Sequence, residues 1–159
     1  MSGFVSTRAD KFEVLDATTT ERWMKFGKSG TTTYPMLLGF EVEDVKADYC
    51  RMRLPFRDEL LQAAGFMHGG AIASLLDHVM VPAVGALIDQ GVNYSTVDMH
   101  VQFIRGIVGG ERAEDAIAEG WVIRRGRRTV FCEAEAYGAS TGDLLAKSVL
   151  TYAVSAPRS

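Results

Sequence analysis

A glycine-rich turn in front of a long apolar segment is the strongest chemical signal in this sequence. The turn reads Gly65-Phe66-Met67-His68-Gly69-Gly70 and predicts a helix that begins at about Gly70. Consecutive glycines let a ligand approach the backbone, and the free N–H groups of a helix start point outward at the positive end of the helix dipole. The turn could therefore polarise a carbonyl and stabilise an oxyanion, or it could be a tight connection that only requires glycine.

Asp77 is the second signal, because it is an acidic residue within the otherwise apolar segment Ala71–Ile88. A buried carboxylate is costly unless it is paired or its pKa rises, so Asp77 is a candidate base or nucleophile. The alternatives are a place on the one solvated face of the helix and a cap on a loop. Gly69 and Asp77 are eight residues apart, which is about 12 Å along one helix. Both could serve one carbonyl only if two chains build the site, as in a two-fold dimer.

Positive charge is concentrated in the five positions Arg124-Arg125-Gly126-Arg127-Arg128, which hold four of the chain's 17 Lys and Arg residues. Planar guanidinium groups suit phosphates. The alternatives are a solvated hairpin tip and a guard on an edge strand. Because the protein as a whole has a net charge of −3, the cluster favours a local anion site.

The composition indicates one globular domain. The chain has 159 residues, of which 47% are hydrophobic, and this is typical of a single soluble domain. Its pI is about 5.6, so it lacks the excess of basic residues that a nucleic-acid binder would need. The three histidines show no metal-ligand spacing, and Cys50 and Cys132 are too few for a disulfide framework and predict buried thiols. No targeting segment is visible, and residues 71–88 include Asp77 and Pro82, which favours a buried helix of a cytoplasmic protein over a membrane span.

These residues need elements that position them. After a poorly ordered lead-in over residues 1–17, a short helix is expected from the capping-box pattern Thr18-Thr19-Thr20-Glu21 to about Gly27. The long helix is expected from about Gly70 to Gln90. The other elements are strands with alternating apolar residues: Phe40 to Val45, Tyr49 to Leu54, Thr96 to Phe103, Ala113 to Arg124, Thr129 to Gly138 and Leu144 to Val154.

The order of the elements predicts an α+β fold. Short turns between successive strands indicate an antiparallel sheet. A single long helix that is apolar on most of its surface must be wrapped by that sheet or buried against another chain. We expect an N-terminal extension over residues 1–35 and one domain over residues 36–156.

Four runs of residues together match the pattern of a known family. They are Met67 to Asp77, with His-Gly-Gly and an Asp nine residues after the His; Thr96-Val97-Asp98-Met99 with Phe103-Ile104-Arg105; and Gly126-Arg127-Arg128. They resemble the hotdog-fold acyl-CoA thioesterases, most closely the phenylacetic-acid-degradation branch, over about Leu37 to Val154. The resemblance implies a sheet wrapped around the central helix, homodimers that often pair into tetramers, an acyl-CoA substrate, and no metal or cofactor.

The resemblance also implies roles for individual residues. Asp77 corresponds to the nucleophile or general base, and the amide of Gly69 to the group that polarises the thioester carbonyl, with His68 counted in the same catalytic motif. Gln62 corresponds to an Asn or Gln that helps hold the carbonyl or the attacking water, and Thr96 to a Ser or Thr that orients the water. Arginines and a glycine fall where the family binds the phosphates and pantetheine of CoA: Arg105, Arg124, Arg125, Gly126, Arg127 and Arg128.

Two residues depart from the pattern of the nearest branch. Gln62 stands where that branch usually has Asn, and Gln is typical of the 4-hydroxybenzoyl-CoA branch, whose carboxylate is Glu. Val81 stands where that second branch has a water-holding Thr. The residue that positions the water, and the choice between Asp77 as base and as nucleophile, therefore stay open. The alternative functions are a non-catalytic acyl-CoA sensor and a hotdog dehydratase or hydratase.

Overall fold

The computed structural model describes residues 4–28, 30 and 32–155, which form a six-stranded antiparallel sheet and its helices. The strands are β1 (Glu41–Lys46), β2 (Tyr49–Leu54), β3 (Asn93–Phe103), β4 (Ala116–Arg125), β5 (Thr129–Gly138) and β6 (Leu144–Ser155). The α-helices are α1 (Ala17–Met24), α2 (Tyr34–Leu38) and α3 (Gly69–Gly85). Across the sheet the order is β1-β2-β4-β5-β6-β3, so that β1 and β3 form its two edges.

The sheet wraps around α3 because both elements carry an apolar face. Along β5 every second side chain from Val130 to Ala136 is buried, and α3 buries most of its residues. The helix approaches β4 closely at Gly120, where a Cβ would lie 2.5 Å from the sulfur of Met80. This helix-in-sheet arrangement is the hotdog fold, and it confirms the α+β architecture predicted from the order of the elements.

Residues 4–16 lie against the outer face of the sheet, so the expectation of a poorly ordered lead-in is wrong for them. Arg8 donates to the carboxylates of Glu119 at 3.2 Å and Glu135 at 2.6 Å. Glu119 is only 1% exposed and also accepts from the hydroxyl of Tyr49 at 2.8 Å. Burial, together with this carboxylate, raises the pKa of Tyr49. A buried carboxylate requires such partners, and the N-terminal segment supplies one of them.

The strands begin and end within three residues of the predicted positions, whereas the N-terminal helices differ more. The cap of α1 is Asp16, whose carboxylate accepts from the N–H of Thr19 at 2.9 Å, rather than Thr18. The sequence pattern does not predict α2, which has Pro35 in its first turn and ends at Gly39 in the left-handed region. The expected domain boundary at residues 35 and 36 falls within α2, and its outer limits at residues 1–3 and 156 lie outside the described residues.

The long helix α3 ends at Gly85, five residues before the predicted end at Gln90. Arg125, from the end of β4, donates to the carbonyl of Val84 at 2.8 Å and so satisfies a carbonyl of the last turn. The same guanidinium pairs with Asp48 at 2.6 Å. The helix therefore ends where a distant strand caps it, which a local pattern does not reveal.

Candidate active site

Asp77 lies half-buried in the middle of α3, where two side chains from the adjacent strands contact it. The hydroxyl of Thr96 on β3 donates to the Asp77 carboxylate at 2.6 Å. The hydroxyl of Tyr152 on β6 donates to the backbone carbonyl of the same residue at 3.1 Å. Tyr152 is 1% exposed, and burial raises its pKa, so its hydroxyl stays a donor. The two predicted residues, Asp77 and Thr96, are thus brought together by the fold.

A cavity of about 400 Å³ adjoins this pair. One part of its wall is polar, with Asp77, Thr96, Asn93 and Ser95. The remainder includes Val81 and aliphatic and aromatic side chains of the following loop and strand. A carboxylate at the border between a polar wall and an apolar space can act on a polar bond that is attached to an apolar group.

The start of α3 holds His68 and Gly69 in a defined geometry. His68 is the N-cap, and its Nδ1 accepts from the N–H of Gly70 at 2.8 Å. An accepting Nδ1 places the proton of the neutral ring on Nε2, which becomes a second donor at the helix start. Among the residues that the structure describes, no protein acceptor takes the N–H of Gly69. A Cβ at Gly69 would lie 3.3 Å from the ring of Phe103 at the end of β3, so this position favours glycine.

Gln62 lies in the loop that leads into this helix start. Its side-chain oxygen accepts from the N–H of Ala64 at 2.6 Å, and its backbone pairs with Phe66. Its loop is joined to the helix start where the N–H of His68 donates to the carbonyl of Leu60 at 2.7 Å. The fold therefore groups Gln62 with His68 and Gly69, and the amide nitrogen of Gln62 remains the group that can face a ligand.

The predicted catalytic residues thus lie in two groups at opposite ends of β3. Asp77 contacts Thr96 near the beginning of this strand, and Gly69 adjoins Phe103 at its end. β3 is an edge strand of 11 residues, and apolar side chains on it are exposed, with Val97 at 62% and Phe103 at 56%. A long apolar edge invites pairing with another strand.

The structure separates the predicted CoA-binding arginines into two kinds. Arg125 is engaged by Asp48 and by the end of α3, so its guanidinium already has partners within the fold. Arg124, Arg127 and Arg128 are exposed at the turn between β4 and β5, where the N–H of Gly126 closes the turn on Thr129. Arg105, beyond the end of β3, pairs with Asp143 at 2.6 Å and is 62% exposed.

His78 also lines the cavity, but its imidazole makes no hydrogen bond to the Asp77 carboxylate. His78 follows Asp77 in sequence, yet its Nδ1 lies 3.0 Å from the carbonyl of Ser74, and its ring adjoins Tyr34 and Phe40. This agrees with the helix geometry, which turns consecutive side chains about 100° apart.

Cys50 and Cys132 are buried as predicted, and burial raises the pKa of both thiols, that of Cys132 to about 12. Within residues 4–28, 30 and 32–155, no group of His, Cys, Asp and Glu is arranged to hold a metal ion. In the same part of the chain, no helix is long and apolar enough to cross a membrane.

The segment that carries the site also carries a family signature. A family model described as the thioesterase superfamily matches residues 64–144, slightly more than half of the chain. The chain belongs to the thioesterase superfamily. The match includes His68, Gly69, Asp77 and Thr96, and it confirms the hotdog fold and the thioester hydrolase class that the sequence resemblance implied.

Known relatives of this thioesterase carry related names. The chain is 28% identical over 117 residues to a protein of Saccharolobus solfataricus named "Putative esterase SSO1253", a match that spans 74% of each chain. It is 26% identical over 98 residues to human acyl-coenzyme A thioesterase 13, which covers 62% of this chain and 66% of the human one. Among solved structures, the conserved protein PA5202 of Pseudomonas aeruginosa has a TM-score of 0.69 at 27% identity, covering 78% of this chain and 94% of that one.

Proposed function

We propose that this thioesterase hydrolyses acyl-CoA thioesters to a free acid and CoA, within the phenylacetic-acid-degradation branch. The observation that carries the proposal is the Asp77–Thr96 hydrogen bond of 2.6 Å at the wall of a cavity that is part polar and part apolar. A carboxylate with a hydroxyl partner, in a superfamily of thioesterases, suits the attack of water on a thioester carbonyl. The relative named acyl-coenzyme A thioesterase supports CoA as the thiol.

Two routes fit this arrangement. In the first, Asp77 accepts a proton from water while the water oxygen attacks the carbonyl; the C–S bond then breaks, and CoA leaves as a thiol with the proton that Asp77 took up. In the second, an Asp77 oxygen attacks the carbonyl and the C–S bond breaks, so that CoA leaves as a thiolate and an anhydride forms; water then hydrolyses the anhydride to the free acid and restores the Asp77 carboxylate. Because Thr96 donates its proton to Asp77, its oxygen lone pairs remain free to accept from a water, and Thr96 is our candidate for the group that orients it.

We propose that each active site is shared between two subunits. Asp77 and Gly69 are about 12 Å apart along α3, too far to act on one carbonyl. If two β3 strands pair antiparallel about a two-fold axis between Met99 and His100, Thr96 of one subunit comes beside Phe103 of the other. Asp77 then faces Gly69 of the partner subunit, whose free N–H would stabilise the oxyanion, with His68 and Gln62 beside it.

The same pairing brings the exposed arginines together. Arg105 follows the end of β3, whereas the turn with Arg124, Arg127 and Arg128 lies at the end of the sheet where β3 begins. In an antiparallel pair, Arg105 of one subunit and this turn of the other lie at the same end of the joined sheet. We propose that they bind the phosphates and pantetheine of CoA, with Gly126 allowing the tight turn and Arg125 holding it in place.

A further apolar patch supports a dimer of dimers. On the outer face of the sheet, Ile123, Phe131 and Val149 are 56%, 48% and 50% exposed. The N-terminal segment covers the neighbouring part of this face around Glu119 and leaves the patch bare. Exposed patches of this kind are typical of interaction surfaces, and we propose that two dimers pack through them.

The test is thiol release from a panel of acyl-CoA esters. Asp77→Asn and Asp77→Ala are expected to lower kcat by roughly 100-fold or more, because they remove the base or nucleophile. Asp58→Asn, an exposed acid outside the cavity, is the matched control and should hydrolyse at the wild-type rate.

Near wild-type hydrolysis by a folded Asp77→Ala protein would contradict the assignment. Binding of acyl-CoA by the wild type without thiol release would indicate a sensor. Conversion of the acyl group with the thioester intact would indicate a dehydratase or hydratase.

A further inference from the structure

Tyr152 meets the two proposed catalytic residues from the neighbouring strand β6. In the ladder between β3 and β6 it lies directly opposite Thr96, which brings the Cβ atoms of the two residues within about 5 Å of each other. Its hydroxyl donates to the backbone carbonyl of Asp77 at 3.1 Å, and its side chain lines the cavity beside the carboxylate. A single side chain therefore contacts both the strand and the helix that carry the reacting groups.

A β-bulge in β3 turns Thr96 toward this meeting point. After Thr96 the ladder advances by two residues on β3 for one on β6, so Val97 is an extra residue without a partner in the ladder. Side chains alternate along a regular strand, yet Thr96 and Met99, which are three residues apart, both face the helix side of the sheet. Bulges re-aim side chains in this way and are frequent beside active sites. The bulge therefore sets the direction of Thr96, and Tyr152 is the residue that faces it.

The helix α3 lacks one of its own hydrogen bonds beside Asp77. Pro82 has no N–H, so the carbonyl of His78 has no partner in the regular pattern of the helix. Tyr152 supplies a hydrogen bond from the sheet to the carbonyl of Asp77, which immediately precedes this gap. The backbone of Asp77 is thus tied to β6 at a point where the helix is weakened.

The hydroxyl of Tyr152 serves as a donor and not as a base. The side chain is 1% exposed, and burial raises its pKa above the usual value of tyrosine, although the neighbouring Thr96 hydroxyl opposes this rise. The carbonyl of Asp77 that takes its proton is also the regular acceptor for the N–H of Val81 within the helix. Removal of the hydroxyl therefore leaves no partner of Tyr152 unsatisfied, and a Phe substitution tests position rather than folding.

We propose that Tyr152 is a positioning residue of the active site. Its hydroxyl holds the backbone of Asp77 at a fixed distance from β6. Because Thr96 lies opposite Tyr152 in the same ladder, this contact keeps the Asp77 carboxylate within hydrogen-bond distance of the Thr96 hydroxyl. The inference rests on the proposed hydrolysis by Asp77 and Thr96, and it adds a third residue, outside the family match over residues 64–144, that acts through the other two.

The first experiment is Tyr152→Phe, assayed with the acyl-CoA that the wild type hydrolyses fastest. We expect kcat to fall by about tenfold and KM to stay within about twofold of the wild-type value, because a small displacement of the reacting groups lowers the rate while the substrate contacts remain. Tyr137→Phe is the matched control. It also removes a tyrosine hydroxyl from a strand, but that hydroxyl donates to Glu135 on the outer face of the sheet, so kcat should be unchanged.

A double-variant cycle separates positioning from a general loss of stability. If Tyr152 acts through the Thr96–Asp77 pair, the addition of Tyr152→Phe to Thr96→Val should lower kcat no further, because the pair is already broken. If the two losses multiply, Tyr152 acts independently of the pair and the inference is overturned. Cooperative thermal unfolding of each variant establishes that folded proteins are compared.

A structural measurement tests the same inference without turnover. In crystals of Tyr152→Phe, the distance between the Thr96 hydroxyl and the Asp77 carboxylate should increase from 2.6 Å to beyond about 3.2 Å, the limit of a good hydrogen bond. An unchanged distance, wild-type kcat, or a Tyr152→Phe protein that fails to fold would overturn the positioning role and leave the hydrolase assignment intact. Absence of hydrolysis by the wild type would overturn the proposed function, and the distance would still decide whether Tyr152 positions the pair.

Discussion

Thr96 donates its hydroxyl proton to Asp77, which limits the ways in which a water can approach the carboxylate. We expect Thr96→Val to lower kcat by about 10- to 100-fold with little change in KM, because it removes the group that we propose orients the water rather than a contact with the substrate. Thr96→Ser, which keeps the hydroxyl, should retain most of the activity. A Thr96→Val protein with wild-type kcat would exclude this role.

At the same scale, contact with the helix α3 requires glycine at position 120 of strand β4. The backbone of Gly120 approaches α3 so closely that a Cβ would lie 2.5 Å from the sulfur of Met80 and 2.8 Å from a methyl group of Val79. Gly120→Ala should lower the free energy of unfolding by about 1 to 3 kcal/mol through overpacking. Gly30→Ala, which meets open space, should leave it unchanged. Urea denaturation of both variants checks this, and equal stability would show that the contact relaxes freely.

The turn between β4 and β5 combines two different uses of arginine. Arg127 and Arg128 are exposed, so changing both to Ala should raise KM for acyl-CoA much more than for a short acyl-pantetheine thioester, which lacks the nucleotide. The wild-type KM for acyl-CoA should rise with salt, since exposed charges are screened. Equal effects on the two substrates would identify the turn as solvated surface.

Arg125 provides the contrast within this element. Its side chain caps α3 and pairs with Asp48, so Arg125→Ala should lower the free energy of unfolding by about 2 kcal/mol. KM should change similarly for acyl-CoA and acyl-pantetheine. A selective rise in KM for acyl-CoA would show that Arg125 also contacts the nucleotide.

At the scale of the whole molecule, the proposed shared site predicts complementation between inactive chains. In a mixed dimer of Asp77→Ala with a Gln62→Ala, Gly69→Pro chain, one site carries both lesions and the other carries none. Random pairing makes about half of the dimers mixed, so about a quarter of the wild-type activity should return. Sedimentation should first establish folding, subunit exchange and whether dimers pair further.

A matched mixture distinguishes complementation from simple stabilisation. Asp77→Ala and Thr96→Val damage the same half of the proposed site, so their mixed dimers contain no intact site and should show no gain. An active monomer, or verified mixed dimers of the first pair without activity, would contradict the shared site.

Much of this architecture is determined locally by the sequence. The glycine turn, the acidic residue within an apolar helix and the alternating strands each depend on residues close in the chain, because side chains repeat every 3.6 residues in a helix and every two in a strand. The eight-residue spacing of Gly69 and Asp77 separates these two residues along α3 by helix geometry alone. These features therefore agree between prediction and structure.

Contacts between distant segments were decided only by the tertiary structure. The family resemblance names Thr96, yet its hydrogen bond to Asp77 requires that β3 lies beside α3, and Tyr152 joins them with no sequence signal beyond an alternating strand. In the sequence, Arg125 is one member of a basic cluster, and only the fold shows that it lies at the end of α3. Residues 4–16 show no periodic pattern in the sequence. They lie on the sheet because Arg8 pairs with the buried carboxylate of Glu119, which is more than a hundred residues away in the chain. Periodicity reports which face of an element is buried, whereas the partner on that face depends on strand order and register.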